Sequence, residues 1–128
     1  MNLLLDTHVV LWAAGDAKRL SAASRAALGD AANAIYFSPV SLWEIVIKSN
    51  LGRADFSVDP RRLWRMLGAN GFLELPVRAE HTLAVAGLPD IHKDPFDRLL
   101  LAQAACEGMI LLTADDDVLA YGGPTKRA

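Results

Sequence analysis

Asp6, Glu44, Asp97 and Asp115 stand far apart along a 128-residue chain, yet their local settings match in pairs. Asp6 directly follows the apolar run Asn2-Leu3-Leu4-Leu5, and Asp115 comes just after Met109-Ile110-Leu111-Leu112. Glu44 and Asp97 each lie about three residues into segments that open at Ser41 and Asp94-Pro95. Runs of the first kind read as buried strands, and segments of the second kind as helices. In an open parallel sheet, ligands bind beyond the carboxyl ends of the strands, the edge that helix starts also face. The acids are therefore expected together on one rim.

Such a rim suits a hard divalent cation. Mg²⁺ and Mn²⁺ prefer oxygen donors and keep several waters, so a few carboxylates plus a substrate phosphate complete the shell. Gathered carboxylates raise one another's pKa. Helix amino ends favour the ionised form, and a bound cation removes most of the remaining repulsion. A centre of this kind activates water and stabilises charge that develops on a cleaved phosphodiester. Each acid also has a purely structural explanation. Ser41-Leu42-Trp43-Glu44 matches a capping box, and Asp94-Pro95-Phe96-Asp97 nearly repeats it. Asp6 could cap the first helix, and Asp115 could sit in a turn. The joint pattern favours chemistry, because Glu44 and Asp97 lie among side chains bound for the core, where a carboxylate without a task is costly.

The elements that must position these acids alternate. Short strands are expected at 2–5, 35–37, 72–75 and 109–112. Helices are expected at 8–14, from Ser21 to about 31, from Ser41 through Ile47, and from Asp59-Pro60 to about 70. Further helices are expected at 79–87, from Asp94-Pro95 to the stop at Gly108, and at 118–121. Strands alternating with helices predict an α/β sandwich with a short, mostly parallel sheet, forming a single domain over residues 1–128.

Composition is compatible with this architecture and narrows the function. Apolar residues make up 52% and charged residues 22%, which excludes disorder. The net charge of −2 lacks the basic surplus of many nucleic-acid binders, although cations held by clustered acids would leave the remaining surface more positive. One cysteine, Cys106, rules out an internal disulfide and fits a reducing compartment. Asp6 interrupts the first apolar run and no basic residue precedes it, so no secretory leader is expected. No apolar stretch is long enough to span a bilayer, and the expected location is the cytoplasm, with no membrane partner. Phosphate-binding loops and glycine-rich dinucleotide fingerprints are absent. A haloacid-dehalogenase-like site would need an aspartate at position 8, where His8 stands, and a receiver domain would need paired acids after the first strand.

Leu4-Leu5-Asp6-Thr7-His8-Val9, Ser41-Leu42-Trp43-Glu44-Ile45, Asp94-Pro95-Phe96-Asp97 with the following Arg98-to-Ala104 segment, and Leu112-Thr113-Ala114-Asp115 occur in one order. In that order and spacing they resemble PIN-domain proteins, above all VapC toxins of type II toxin–antitoxin modules, from residue 2 to about 121. The resemblance implies a three-layer α/β/α sandwich. It further implies Mg²⁺-dependent endoribonuclease activity, with Mn²⁺ as a possible substitute, leaving 5′-phosphate and 3′-hydroxyl ends. Homodimerisation and inhibition by a cognate antitoxin protein are implied too. Asp6, Glu44, Asp97 and Asp115 match the family's acids, as catalytic residues and metal ligands. Asp6 and Asp97 match direct ligands, whereas Glu44 and Asp115 would ligate or act through bound water. Thr7 and Thr113 match hydroxyls that orient a carboxylate or water. Asp94 is open between helix cap and neighbour of the centre. The competing expectation is a PIN-like module that binds RNA or protein without turnover.

The polar stretch Gly122–Ala128 departs from the family's last apolar strand, so that edge is expected to be absent or frayed. His8, His81 and His92 carry no companion motif and read as structural. Trp12, Trp43 and Trp64 read as core or dimer contacts, and Lys48, Arg53, Arg61, Arg62 and Arg65 as solvated surface. Lys93 and Arg98, beside Asp94 and Asp97, are the candidates for phosphate contact.

Overall fold

A computed structural model describes residues 1–128. Leu3, Leu4 and Leu5 are all essentially inaccessible, as expected for a strand covered on both faces. They belong to β1 (Asn2–Leu5), the centre of a five-stranded sheet with β2 (Ala34–Phe37), β3 (Leu73–Glu74), β4 (Ile110–Thr113) and β5 (Thr125–Arg127). The order is β3-β2-β1-β4-β5 and every pairing is parallel. The helices are α1 (Thr7–Gly15), α2 (Ala22–Gly29), α3 (Pro39–Asn50), α4 (Pro60–Ala69), α5 (Ala79–Ala84), α6 (Pro95–Glu107) and α7 (Asp116–Leu119).

The two-residue period of β1 sorts its leucines into two cores. Leu3 and Leu5 pack with Ile35, Phe37 and Leu112 beneath Val9 and Val10 of α1, Ile45 of α3, and Leu63 and Leu67 of α4. Leu4 points the other way and packs with Leu111, Leu75 and Val118 against Leu100, Leu101 and Ala104 of α6. Helices on both faces of one sheet give the three-layer α/β/α sandwich. No helix is long and apolar enough to cross a membrane.

Three helix starts use one device, a polar cap followed by proline at the first turn: Ser38-Pro39, Asp59-Pro60 and Asp94-Pro95. The first corrects the expected start of α3. Ser38 is the cap, its Oγ accepting from the Val40 amide at 3.1 Å, and Ser41 lies inside the helix. Glu44 therefore makes no capping box, and it sits more than a turn from the helix start. At the other end of the chain, β5 is present. A backbone ladder suffices there: the Leu111 amide donates to Pro124 O at 2.5 Å and the Ala128 amide to Thr113 O at 2.8 Å. Edge strands commonly carry polar and charged residues, so Thr125, Lys126 and Arg127 hide a strand from apolar periodicity.

Gly108 ends α6 with φ +66°, the left-handed region, and a Cβ placed there would meet no neighbouring atom. The Gly108→Ala variant should therefore lose about 1 kcal/mol through backbone strain alone, read as a lower urea midpoint with activity retained. An unchanged midpoint would remove this account of how α6 stops.

Candidate metal centre

The strand order reverses its direction of growth between β1 and β4, which opens a crevice at their carboxyl ends. Asp6 stands there. Its amide donates to Leu112 O at 3.1 Å, fixing it against β4. Its Oδ1 accepts from the His8 amide at 2.9 Å, so it does cap α1, while Oδ2 accepts from the Thr113 hydroxyl at 2.5 Å. Thr113 Oγ1 in turn accepts from the Asp115 amide at 3.1 Å. The capping role and membership of the acid cluster coexist in one side chain, and Thr113 couples the ends of both strands.

Glu44 reaches the crevice from α3 and is buried. Thr7 Oγ1 donates to its Oε1 at 2.6 Å, and the Lys48 ammonium donates to Oε2. Ser41 Oγ lies 3.1 Å from Thr7 Oγ1. The single Thr7 proton goes to the carboxylate, which leaves Ser41 as the donor in that contact. Lys48, read from sequence as solvated surface, is thus the ammonium that compensates Glu44; its spacing of four residues was the available signal. Truncation in Lys48→Met leaves a buried carboxylate short of its cation. Metal-free protein should lose about 2–3 kcal/mol by urea denaturation, and less with saturating Mn²⁺. Equal midpoints in EDTA for variant and wild type would refute that pairing.

Asp97 occupies the first turn of α6, as expected, beneath the cap Asp94, whose Oδ1 accepts from the Phe96 amide at 2.8 Å and the Asp97 amide at 3.3 Å. Burial, with the nearby charges of Asp6, Asp94 and Glu44, pushes the Asp97 carboxyl up to about 7 despite an opposing bond from His92. Asp6 is also raised, by burial and by Glu44, against its bonds from Thr113 and His8. His92 Nε2 lies 2.8 Å from Asp97 Oδ2 and 4.0 Å from Asp115 Oδ2, and its Nδ1 lies 3.9 Å from Asp117 Oδ2. Burial pulls the imidazole pKa down, but the bond to Asp97 and the charges of Asp97, Asp115 and Asp94 outweigh it, and the net shift is upward. Both shifts describe one proton held between imidazole and carboxyl, so the pair titrates as a unit.

Asp115 is placed as the cap of α7, its Oδ1 accepting from the Asp117 amide at 2.8 Å, and it is the most open of the four acids. Arg98 is not turned toward the acids. Its guanidinium donates to Val85 O, Pro89 O, His92 O and Tyr121 Oη, pinning the loop that precedes α6. Lys93 remains exposed. Trp43 and Trp64 are 59% and 50% exposed, which corrects the core reading for both. Trp43 stacks edge-on against Phe96 at 5.1 Å, beside the crevice.

Oxygen donors of this kind suit a hard cation. Near the crevice, the groups whose ligand atoms stand within 4.8 Å of one another are His92 with Asp94 and Asp97, and His92 with Asp115 and Asp117, and Asp6 and Glu44 lie outside both. Asp6, Glu44 and Asp97 are buried carboxylates, and the ammonium beside them is already committed to Glu44. The raised pKa values of Asp6 and Asp97 come first from burial, which disfavours their charged forms, and second from the neighbouring carboxylates. A divalent cation bound here would favour the ionised carboxylates. From the rim a cleft of about 650 Å³ leads past Asp6 and Asp115 along α1 to Trp12, Asp16, Arg19 and Asp55.

The PIN domain family model matches residues 3–124. A search of curated proteins by sequence finds no match. Among solved structures, the chain is similar to VapBC2 from Rickettsia felis bound to a DNA fragment from its promoter, at TM-score 0.71 and 14% identity over 99% of this chain and 98% of the other. It is similar to DNA-bound VapBC from Salmonella typhimurium at TM-score 0.70 and 13% identity, over 99% and 98% of the two chains. A domain of a functionally unknown protein from Methanocaldococcus jannaschii matches at TM-score 0.61 and 20% identity, over 99% and 90%. With a parallel sheet in the order β3-β2-β1-β4-β5, buried acids at its switch point and a family match across nearly its whole length, this chain belongs to the PIN domain family.

Proposed function

We propose that the protein is a metal-dependent endoribonuclease of the VapC type, the toxin of a toxin–antitoxin pair, with Asp6, Glu44, Asp97 and Asp115 as its catalytic and metal-holding residues. The observation that carries this reading is the set of buried carboxylates Asp6, Glu44 and Asp97 at the β1/β4 crevice, where burial and neighbouring negative charge raise the pKa of Asp6 and Asp97. Asp6 and Asp97 would hold Mg²⁺ or Mn²⁺ directly, and Glu44 and Asp115 would ligate or orient bound water. A cation bound there would lower the pKa of water and offset charge on the phosphodiester under cleavage. Thr7 and Lys48 fix the Glu44 carboxylate, Thr113 fixes Asp6, and Arg98 with Tyr121 fixes the loop that brings His92 to Asp97. Lys93, exposed next to Asp94, is available to the RNA backbone. Cleavage leaves 5′-phosphate and 3′-hydroxyl ends.

Similarity in fold to VapC-containing complexes supports an antitoxin partner. So does the cleft, where Asp6, Asp16, Asp55 and Asp115 outnumber Arg19 beside the apolar Leu11, Val58 and Leu63. A partner segment carrying apolar and cationic side chains matches that lining. The working form is a cytoplasmic homodimer. Purified protein should cleave single-stranded RNA in Mg²⁺ or Mn²⁺ and lose at least about a thousandfold in EDTA, a loss of about 4 kcal/mol in barrier lowering. Full cleavage in EDTA would overturn the metal-dependent reading, and tight RNA binding without cleavage in either metal would indicate a binding module instead.

A further inference from the structure

His92 reads from sequence as a structural histidine, yet the fold delivers its ring to the acid centre. Its main chain is held on both sides: the amide donates to Tyr121 Oη at 2.9 Å, and Tyr121 donates back to His92 O at 3.2 Å. Arg98 Nη1 reinforces this, reaching Tyr121 Oη at 3.1 Å and His92 O at 3.3 Å. With the main chain braced in this way and Nε2 2.8 Å from Asp97 Oδ2, the ring is in position before any cation arrives.

Resting on the metal-dependent reading above, we propose that His92 Nε2 is a nitrogen ligand of the divalent cation, completing a mixed nitrogen–oxygen centre that takes Mn²⁺ in preference to Mg²⁺. In an octahedral shell with bonds of about 2.1 Å, neighbouring donors stand about 3.0 Å apart and opposite donors about 4.2 Å apart. His92 Nε2 stands 2.8 Å from Asp97 Oδ2 and 4.0 Å from Asp115 Oδ2, close to those two separations. One ligand atom from each of His92, Asp94 and Asp97 lies within 4.8 Å of the others, and the same holds for His92, Asp115 and Asp117. The imidazole is the donor common to both groups.

Proton placement agrees. With its proton on Nδ1, on the side of Asp117 Oδ2 at 3.9 Å, the ring presents a lone pair on Nε2. His81 gives the contrast. It sits with Glu80 and Glu107 in a similar cluster, but its Nδ1 accepts from the Arg78 amide at 2.9 Å. That bond puts the proton of the neutral ring on Nε2, which then has no lone pair for a metal. Imidazole nitrogen favours Mn²⁺ and later transition ions over Mg²⁺, which keeps to oxygen and water.

The test is pulsed EPR on the full chain loaded with Mn²⁺, alongside calorimetric Mn²⁺ and Mg²⁺ titrations. Wild type should show modulation from a directly coordinated ¹⁴N that changes frequency when histidine is ¹⁵N-labelled, a readout that needs no variant. The signal should vanish in His92→Gln and persist in His8→Gln. The Kd for Mn²⁺ should rise about tenfold in His92→Gln, with that for Mg²⁺ changing much less. Bound Mn²⁺ without nitrogen modulation, or modulation that survives His92→Gln, overturns the proposal and leaves the acid centre standing. Wild type that binds no Mn²⁺ overturns both.

Discussion

Asp97→Asn is expected to abolish RNA cleavage while making the metal-free protein more stable. The substitution keeps shape and still offers Oδ1 to His92 Nε2, so the fold around the first turn of α6 is preserved. What disappears is a negative charge at the most crowded point of the centre. On the proposed role of Asp97 as a direct ligand, its loss should lower cleavage at least about a thousandfold, equivalent to about 4 kcal/mol. Stability moves the other way, and the sign follows from the pKa. Asp97 is raised from 3.8 to about 7, so the folded state binds the proton more tightly than the unfolded chain. Its contribution to stability is full below the unfolded value and is lost as pH rises toward 7. At pH 8 in EDTA the wild type carries the whole penalty, and the variant carries none of it. Allowing for the weaker bond that neutral asparagine makes to His92, a gain of about 2 kcal/mol and about 5 °C in Tm is expected. Saturating Mn²⁺ should reverse the ranking, because it stabilises wild type alone. Cleavage retained by the variant, or a lower Tm than wild type in EDTA, would remove Asp97 from the centre.

A variant with that outcome, inert yet more stable, would mark a site kept for chemistry at the expense of folding. This also explains which parts of the molecule were legible beforehand. β1, β2 and β4 announce themselves because central parallel strands are apolar throughout, as Leu3-Leu4-Leu5 and Ile110-Leu111-Leu112 are. Two of the three cap-plus-proline starts were read directly. The third, Ser38-Pro39, differs from the start expected at Ser41, since proline after a strand is equally consistent with a turn. β5 was hidden because its strand character lies in backbone pairing with β4, and Thr125-Lys126-Arg127 carries no apolar alternation.

The acids follow the same logic. Their convergence could be anticipated because parallel topology fixes which end of each element faces the crevice, and that depends on chain direction alone. The partners of those acids could not. Thr7 and Thr113 came only through family resemblance. His92 approaches Asp97 through a loop whose path is set by Arg98 bonds to three carbonyls and a tyrosine, contacts that leave no spacing rule in the sequence. Arg98 itself was expected to bind phosphate. An arginine one residue after a catalytic-type aspartate points about 100° around the helix from it, here toward the loop carbonyls of Val85 and Pro89.

Mn²⁺ affinity should depend steeply on pH in the range where ordinary carboxylates have finished titrating. A cation binding at Asp97 must displace the proton of this carboxyl, whose pKa is about 7. Lowering the pH through that value populates the protonated form, so the apparent affinity falls as pH falls. For one displaced proton, affinity is almost level above pH 8 and drops about tenfold for each unit below 7, or about a hundredfold between pH 8 and pH 5. Asp6 is raised as well, which can only steepen the acid limb. Were the acids on separate, hydrated surfaces, they would titrate near 4 and affinity across pH 5 to 8 would vary less than about twofold. Calorimetry in buffers of different ionisation enthalpy checks both parts, since the released proton appears in the heat near pH 6 and disappears above pH 8. A flat affinity with no proton release would mean that Asp97 carries its charge without crowding, and the case for a shared cation at the β1/β4 crevice would fall with it.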